Sequence, residues 1–204
     1  KKKRSTLVTS FYYNKIFKKK HNHLIFNLNN SLDLIYNDVR KFGFIKVIEL
    51  KNIDLNQHMS QLGPEPLSDS FNSYYLKSVI QKSHLNVKNF LMSQKYVSGL
   101  GNIYVNEILF LSLINPRKQV SKLTSGEVEK IILNTKKILK LSIQLGGSSI
   151  SDFNGVSGRS GIFQQKFMVY DREDNNCRKK NCKGTIKKIY ISNRSTFFCK
   201  NCQK

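Results

Sequence analysis

Between Phe71 and Leu145 apolar residues recur at helical spacing, as expected of segments that each bury one face. Thr124 and Glu127 make a capping box, and the positions that follow, Val128, Ile131, Ile132, Ile138, Leu139 and Leu145, form an apolar face that runs out at Gly146 and Gly147. Val87, Phe90 and Leu91 predict a shorter helix. After it come a turn through Ser98, Gly99, Leu100 and Gly101 and a second helix from Asn102 to about Leu113, stopped near Asn115 and Pro116. Glycines ahead of a helix let an anion approach bare N–H groups and the positive end of the helix dipole, although a Gly-x-Gly is more often only a tight turn.

The pattern changes on either side. Residues 24–28 and 34–36 read as strands separated by the turn residues Asn29, Asn30 and Ser31, and Phe44 to Ile48 is a third strand candidate. LGPEPLS at 62–68 holds two of the three prolines and reads as a linker, which places a domain boundary there. Residues 146–164 are rich in Gly and Ser and predict a long loop. From Lys183 to Phe198, two β-prone runs flank Ser192, Asn193 and Arg194, predicting a hairpin with Arg194 near its tip.

Charge narrows the function. The 204 residues carry 35 Lys and Arg against 13 Asp and Glu, a net charge of +22. AT-rich coding alone would enrich Lys, but it would supply acids as well. Here no acid precedes Asp33, none lies between Asp69 and Glu107, and none follows Asp174, whereas residues 175–204 hold nine Lys or Arg. Such a field favours a polyanionic partner, nucleic acid first. No apolar run reaches the roughly 18 residues that span a bilayer, and no signal-peptide pattern is present, so the expected location is cytoplasmic with no membrane partner.

The four cysteines, Cys177, Cys182, Cys199 and Cys202, are spaced C-x4-C-x16-C-x2-C. Two close pairs separated by the length of a hairpin suit a tetrahedral Zn2+ site; two disulfides are the alternative, disfavoured where thiols stay reduced. Thirty residues bury little core, so the metal would organise the hairpin.

Taken together, LGPEPLSDSF (62–71), VSGLGNIYVNEILF (97–110), INPRK (114–118), GGSSISDF (146–153), VYDR (169–172) and the terminal cysteine ribbon ending in CQK resemble the bacterial formamidopyrimidine-DNA glycosylases in order and spacing, and KHNHLIF (20–26) and YNDVRKFG (36–43) extend the resemblance towards the N-terminus. It implies an α+β protein: a remnant of an N-terminal β domain over 1–61, a helix-two-turn-helix DNA-binding domain with a lesion-capping loop over 62–164, and a zinc ribbon over 165–204. It also implies a monomeric base-excision repair enzyme that removes oxidised purines such as 8-oxoguanine from double-stranded damaged DNA and nicks the abasic site. In the family the residues matched by Arg40 and Phe42 fill the space left by the flipped nucleotide. His21 matches a DNA contact, Lys88 and Asn102 match phosphate-holding positions, and Arg194 matches the arginine of the final elimination step.

Several features depart from the family. The N-terminal proline nucleophile and the glutamate after it are not among these 204 residues, so the resemblance predicts an N-terminally truncated member, with a non-catalytic damaged-DNA-binding remnant as the alternative. The first cysteine pair is separated by four residues where the family has two, and Ser83 stands where relatives often carry a basic DNA contact.

Overall fold

A computed structural model describes residues 19–28, 33–53, 55–148 and 161–204. It divides into two compact units, Lys1–Leu50 with Ser142–Gln165 and Lys51–Leu141 with Lys166–Lys204.

In the first unit, β1 (Asn22–Asn27) and β2 (Asp33–Asn37) pair antiparallel, with Ile25 opposite Ile35 and Phe26 opposite Leu34. The turn expected at 29–31 lies outside the described residues. Phe44 to Ile48 is not a strand. A β-prone run becomes a strand only within a backbone ladder, and among the described residues this one joins neither sheet, with Val47 95% exposed.

The second unit is mainly helical. Its elements are α1 (Gln57–Ser60), α2 (Ser73–Ile80), α3 (Val87–Met92), α4 (Asn102–Ser112) and α5 (Ser125–Gln144), the last of which runs on into the first unit's residues. Asparagine begins three of them: the side chains of Asn56, Asn72 and Asn86 accept from the N–H groups of His58, Tyr75 and Asn89, satisfying donors that a helix start leaves open. The predicted capping box forms at α5, where Glu127 N–H donates to Thr124 Oγ1 at 3.2 Å and Thr124 N–H donates to Glu127 Oε2 at 2.9 Å. Lys118 adds an ion pair to Glu127 at 2.7 Å. Past α5, Gly146 and Gly147 take φ of 72° and 83°, which ends the helix at the predicted place.

LGPEPLS is docked rather than free. Gly63 N–H donates to Gln94 O at 2.8 Å and Ser98 N–H to Pro64 O at 3.1 Å. A Cβ on Gly63 would collide with the Tyr96 backbone carbonyl, so a side chain there would push the segment off the turn that joins α3 to α4.

The predicted hairpin is β3 (Ile186–Ile191) and β4 (Arg194–Cys199), in register from Ile186 opposite Cys199 to Ile191 opposite Arg194. Phe110 of α4 joins Val169, Cys177, Ile186, Phe197 and Cys199 in one buried cluster. Among the described residues no helix is long and apolar enough to cross a membrane.

Candidate nucleic-acid interface

Three polar side chains on α3 and α4 converge on β4. Lys88 Nζ donates to Ser195 O at 3.0 Å and to Thr196 Oγ1 at 2.6 Å. Asn102 Nδ2 donates to the same Ser195 carbonyl at 3.0 Å. Asn106, one helical turn along α4, donates to Asn102 O at 2.6 Å and accepts from Phe197 N–H at 2.7 Å. The two helices thereby hold the start of β4 and leave Arg194, its first residue, exposed.

Lys88 is buried, and desolvation together with the nearby Arg194 guanidinium lowers its pKa to about 8. Two cations held near one another raise each other's energy, and an anion between or beside them removes that cost. The turn before α4 adds to this surface. Gly99 has φ 78°, and a Cβ built on Gly99 or Gly101 meets nothing within 4 Å, so the space in front of the helix start is open. Gln94 braces the turn, accepting from Gly99 N–H at 2.6 Å and donating to Leu100 O at 3.2 Å.

The hairpin is also fixed from behind. Glu107, almost fully buried on α4, accepts from the N–H groups of Met168, Val169 and Tyr170 at 2.8, 2.9 and 2.8 Å. Burial pushes its carboxyl pKa up, and the three N–H groups and Arg172 pull against that shift. Gln203 accepts from Cys199 N–H and donates to Ile114 O, both at 2.9 Å, tying the CQK end to the segment that follows α4.

The four cysteines come together as their spacing predicts. All Sγ atoms lie within 4.8 Å of one another, with Cys177–Cys202 and Cys182–Cys199 at 3.8 Å and Cys182–Cys202 at 3.3 Å. A disulfide needs about 2.05 Å, whereas sulfurs about 2.3 Å from a central ion at tetrahedral angles sit about 3.8 Å apart. The donor set therefore fits a tetrahedral thiolate site, and the four-residue knuckle closes it, with Asn181 at φ 63° making the bend. Lys179 and Gly184 N–H groups donate to Cys177 and Cys182 sulfur at 3.5 and 3.4 Å. The Gly184 donor draws the Cys182 thiol down to about 7, while burial raises Cys177 and Cys202.

Arg40 and Phe42 belong to the first unit and form a cluster of their own. Asp38 Oδ1 accepts from Arg40 and Lys41 N–H, each at 2.9 Å, and Oδ2 accepts from Gly43 N–H at 2.8 Å. The bond from Gly43, with those from Arg40 and Lys41, lowers the Asp38 pKa, and partial desolvation pulls the other way. This carboxylate folds the loop so that the Arg40 guanidinium lies 4.7 Å from the Phe42 ring centre, and that ring is 78% exposed. His21 ends a 3-10 turn before β1 and accepts at its carbonyl from Asp38 N–H at 3.0 Å. Of the loop around 155–161, expected to close over an extruded base, residues 155–160 lie outside the described residues.

Pattern reading alone passed over Asn106, Glu107 and Asp38. The first two stood out only as polar residues inside the apolar run of α4, and nothing local said which partner each would find.

A family model described as the formamidopyrimidine-DNA glycosylase H2TH domain matches residues 62–154. Among curated proteins, the formamidopyrimidine-DNA glycosylase of Afipia carboxidovorans is 36% identical over 200 residues, covering 95% of this chain and 68% of that protein. The Rickettsia felis protein of the same name is 40% identical over 185 residues, 91% of this chain and 66% of that one. Among solved structures, Lactococcus lactis Fpg in complex with DNA containing an abasic site superposes with a TM-score of 0.81 at 34% identity, covering 94% of this chain and 69% of that chain. MutM in complex with DNA containing carbocyclic 8-oxo-G matches equally well, with a TM-score of 0.81 at 34% identity over 94% of this chain and 68% of that chain. The chain thus spans about two thirds of the length of the relatives it matches.

Proposed function

Because the chain belongs to the formamidopyrimidine-DNA glycosylase family, we propose that it grips damaged double-stranded DNA in base-excision repair, in the service of excising oxidised purines and cleaving the strand at the abasic site. The observation that carries this proposal is the convergence of Lys88 and Asn102 on the Ser195 carbonyl beside Arg194. It places the exposed Arg194 guanidinium at the turn, backed by the buried Lys88 ammonium and the Asn102 amide, and open space lies before the start of α4. Kinked DNA backbone is the anion such a surface suits, because phosphates gain from the guanidinium, the ammonium and the helix start together.

Each residue then has a physical task. Lys88, Asn102 and the start of α4 hold phosphates and carry no sequence information. Arg40 and Phe42 enter the duplex: a planar guanidinium and an aromatic ring recover part of the few kcal/mol that base extrusion costs. His21 adds a contact near the same loop. Arg194 stabilises negative charge on phosphate oxygen during the last elimination. In the family's Schiff-base chemistry the amine nucleophile is an N-terminal proline, and no step is assigned to it within these 204 residues. Zn2+ held by Cys177, Cys182, Cys199 and Cys202 would be structural: four thiolate ligands would leave no open position, and the site would fix the base of the hairpin whose tip presents Arg194.

Binding to a duplex carrying an abasic-site analogue tests the proposal. Affinity should fall by orders of magnitude between low and physiological salt as released counterions cease to help. Lys88→Ala and Asn102→Ala should weaken binding to all duplexes alike, whereas Arg40→Ala should mainly erase the preference for the damaged site. Binding that ignores salt, or that shows no preference for the abasic analogue, would overturn it.

A further inference from the structure

The turn joining β3 to β4 contains only Ser192 and Asn193, and both adopt left-handed backbone, at φ 48° and 58°. A two-residue turn with both φ values positive matches the twist of antiparallel strands and favours Gly or Asn. Asn193 meets that preference and Ser192 does not, so the turn holds a conformation that its first residue disfavours. A side chain from another element holds it there: Asn89 Nδ2, on α3, donates to Ser192 Oγ at 2.8 Å.

The neighbouring residue of α3 grips the other side of the same turn. Lys88 Nζ reaches Ser195 O and Thr196 Oγ1, and the Thr196 hydroxyl donates to the Arg194 carbonyl at 3.1 Å. Arg194 therefore sits between two anchors that both come from α3, one through Ser192 and one through Ser195 and Thr196. A hairpin held only at its base pivots at its tip, while one held on both sides of the tip presents its side chain along a single direction. Lys88 already has a task in the proposed phosphate contact, but Asn89 has none. Its side chain is half-buried, and its one hydrogen bond to the ribbon is the one to Ser192.

We infer that Asn89 is a positioning residue for Arg194: acting through the Ser192 hydroxyl, it fixes the direction from which the guanidinium meets a DNA phosphate. This rests on the DNA-contact role proposed above for Arg194. Asn89 does not itself need to touch DNA. A plain structural staple would make the same hydrogen bond, so the test has to separate stability from affinity.

Ser192→Gly does so. It removes the hydroxyl while relieving the left-handed backbone, so the melting temperature should hold or rise, whereas affinity for an abasic-analogue duplex should fall about fivefold, the size of one lost hydrogen bond. Asn89→Ala should produce the same loss, measured on the zinc-loaded 204-residue chain at fixed salt with zinc content checked. Arg194→Ala should cost about tenfold, and adding Asn89→Ala to it should cost nothing more, because the residue being positioned is gone. Wild-type affinity in Ser192→Gly and Asn89→Ala alongside a weakened Arg194→Ala would overturn the inference alone, as would a further fivefold loss in the double variant. Wild-type affinity in Arg194→Ala would instead overturn the DNA-contact role of Arg194, and this inference with it.

Discussion

The two hairpins of the described residues differ little in length and greatly in surroundings. In β1–β2, Leu24, Ile25 and Phe26 are all more than 40% exposed, and no residue of either strand is buried. In β3–β4, Ile186, Ile191, Thr196, Phe197, Phe198 and Cys199 are buried. Both segments have β-prone residues and both pair correctly, so strand propensity does not separate them. The difference lies in what each face meets. An isolated two-stranded hairpin is marginal in water, and burying a large apolar side chain contributes about 1.5–3 kcal/mol. The ribbon hairpin gains that contribution from α4 and the 167–170 segment, adds four cysteines at its base, and is gripped near its tip by Lys88 and Asn89. Its tip is therefore a defined position from which a single arginine can act.

If the cysteine cluster holds Zn2+ as proposed, removing the metal should break this contrast most completely. Structural zinc contributes about 10 kcal/mol or more to the folding of small ribbons. Chelation, or Cys199→Ser, should unfold β3–β4, release Arg194 from its anchors and abolish binding to abasic-analogue DNA. Amide exchange at 22–27 in β1 should not change. Zinc release, circular dichroism and residue-resolved exchange on one sample would show whether the hairpins respond separately.

Replacing the buried carboxylate behind the ribbon tests whether anchoring without metal also matters. In Glu107→Gln one N–H that now finds an oxygen would face an NH2 group instead. An unsatisfied buried donor costs about 1–3 kcal/mol. The melting temperature should fall accordingly, with zinc retained and the 168–170 amides exchanging faster. An unchanged melting temperature would mean that Glu107 contributes nothing to holding the ribbon.

The pH dependence of binding sharpens the contrast at the tip. Lys88 titrates at about 8 in the free protein, held down by burial and by Arg194. A bound phosphate raises that pKa, so the complex keeps a proton that the free protein loses. Affinity should be full below pH 8 and decline as pH rises through it, by at most about tenfold per unit for one proton. Lys88→Met should bind more weakly and without this slope. Isothermal titration in buffers of different ionisation enthalpy would count the proton directly.

The smallest effect belongs to the first unit. Asp38→Asn weakens the acceptor for the Arg40, Lys41 and Gly43 N–H groups, and those amides should exchange faster with little change in global melting. Because the folded Asp38 pKa is lowered, its contribution is present above the ordinary aspartate pKa near 3.9 and lost as pH falls through the folded value. Discrimination between abasic and intact duplex should decline more than overall affinity, since Arg40 and Phe42 would lose their fixed pairing.

Much of this was already legible along the chain. The α5 capping box, the glycine stops at 146 and 147, the bounds of α4, the ribbon hairpin and the cysteine set all follow from interactions between residues close in sequence or from ligand spacing, and each appears where the pattern places it. Local rules failed where the outcome depended on a distant partner. Phe44 to Ile48 has a strand's composition but joins no sheet among the described residues, and LGPEPLS has a linker's composition but docks because the Gln94 and Ser98 backbone groups are there to receive it.

By itself, the sequence determined α3, α4 and α5, the clustering of the four cysteines, the positive field and the family, because periodicity, capping, cysteine spacing and charge are properties of short stretches. Only the tertiary structure decided that Lys88 and Asn102, 14 positions apart, would share one carbonyl 93 residues beyond Asn102, and that Asn89 would meet Ser192 across 103 residues. A hydrogen bond needs its donor and acceptor within about 3 Å, and separation along the chain says nothing of that distance until the helices pack.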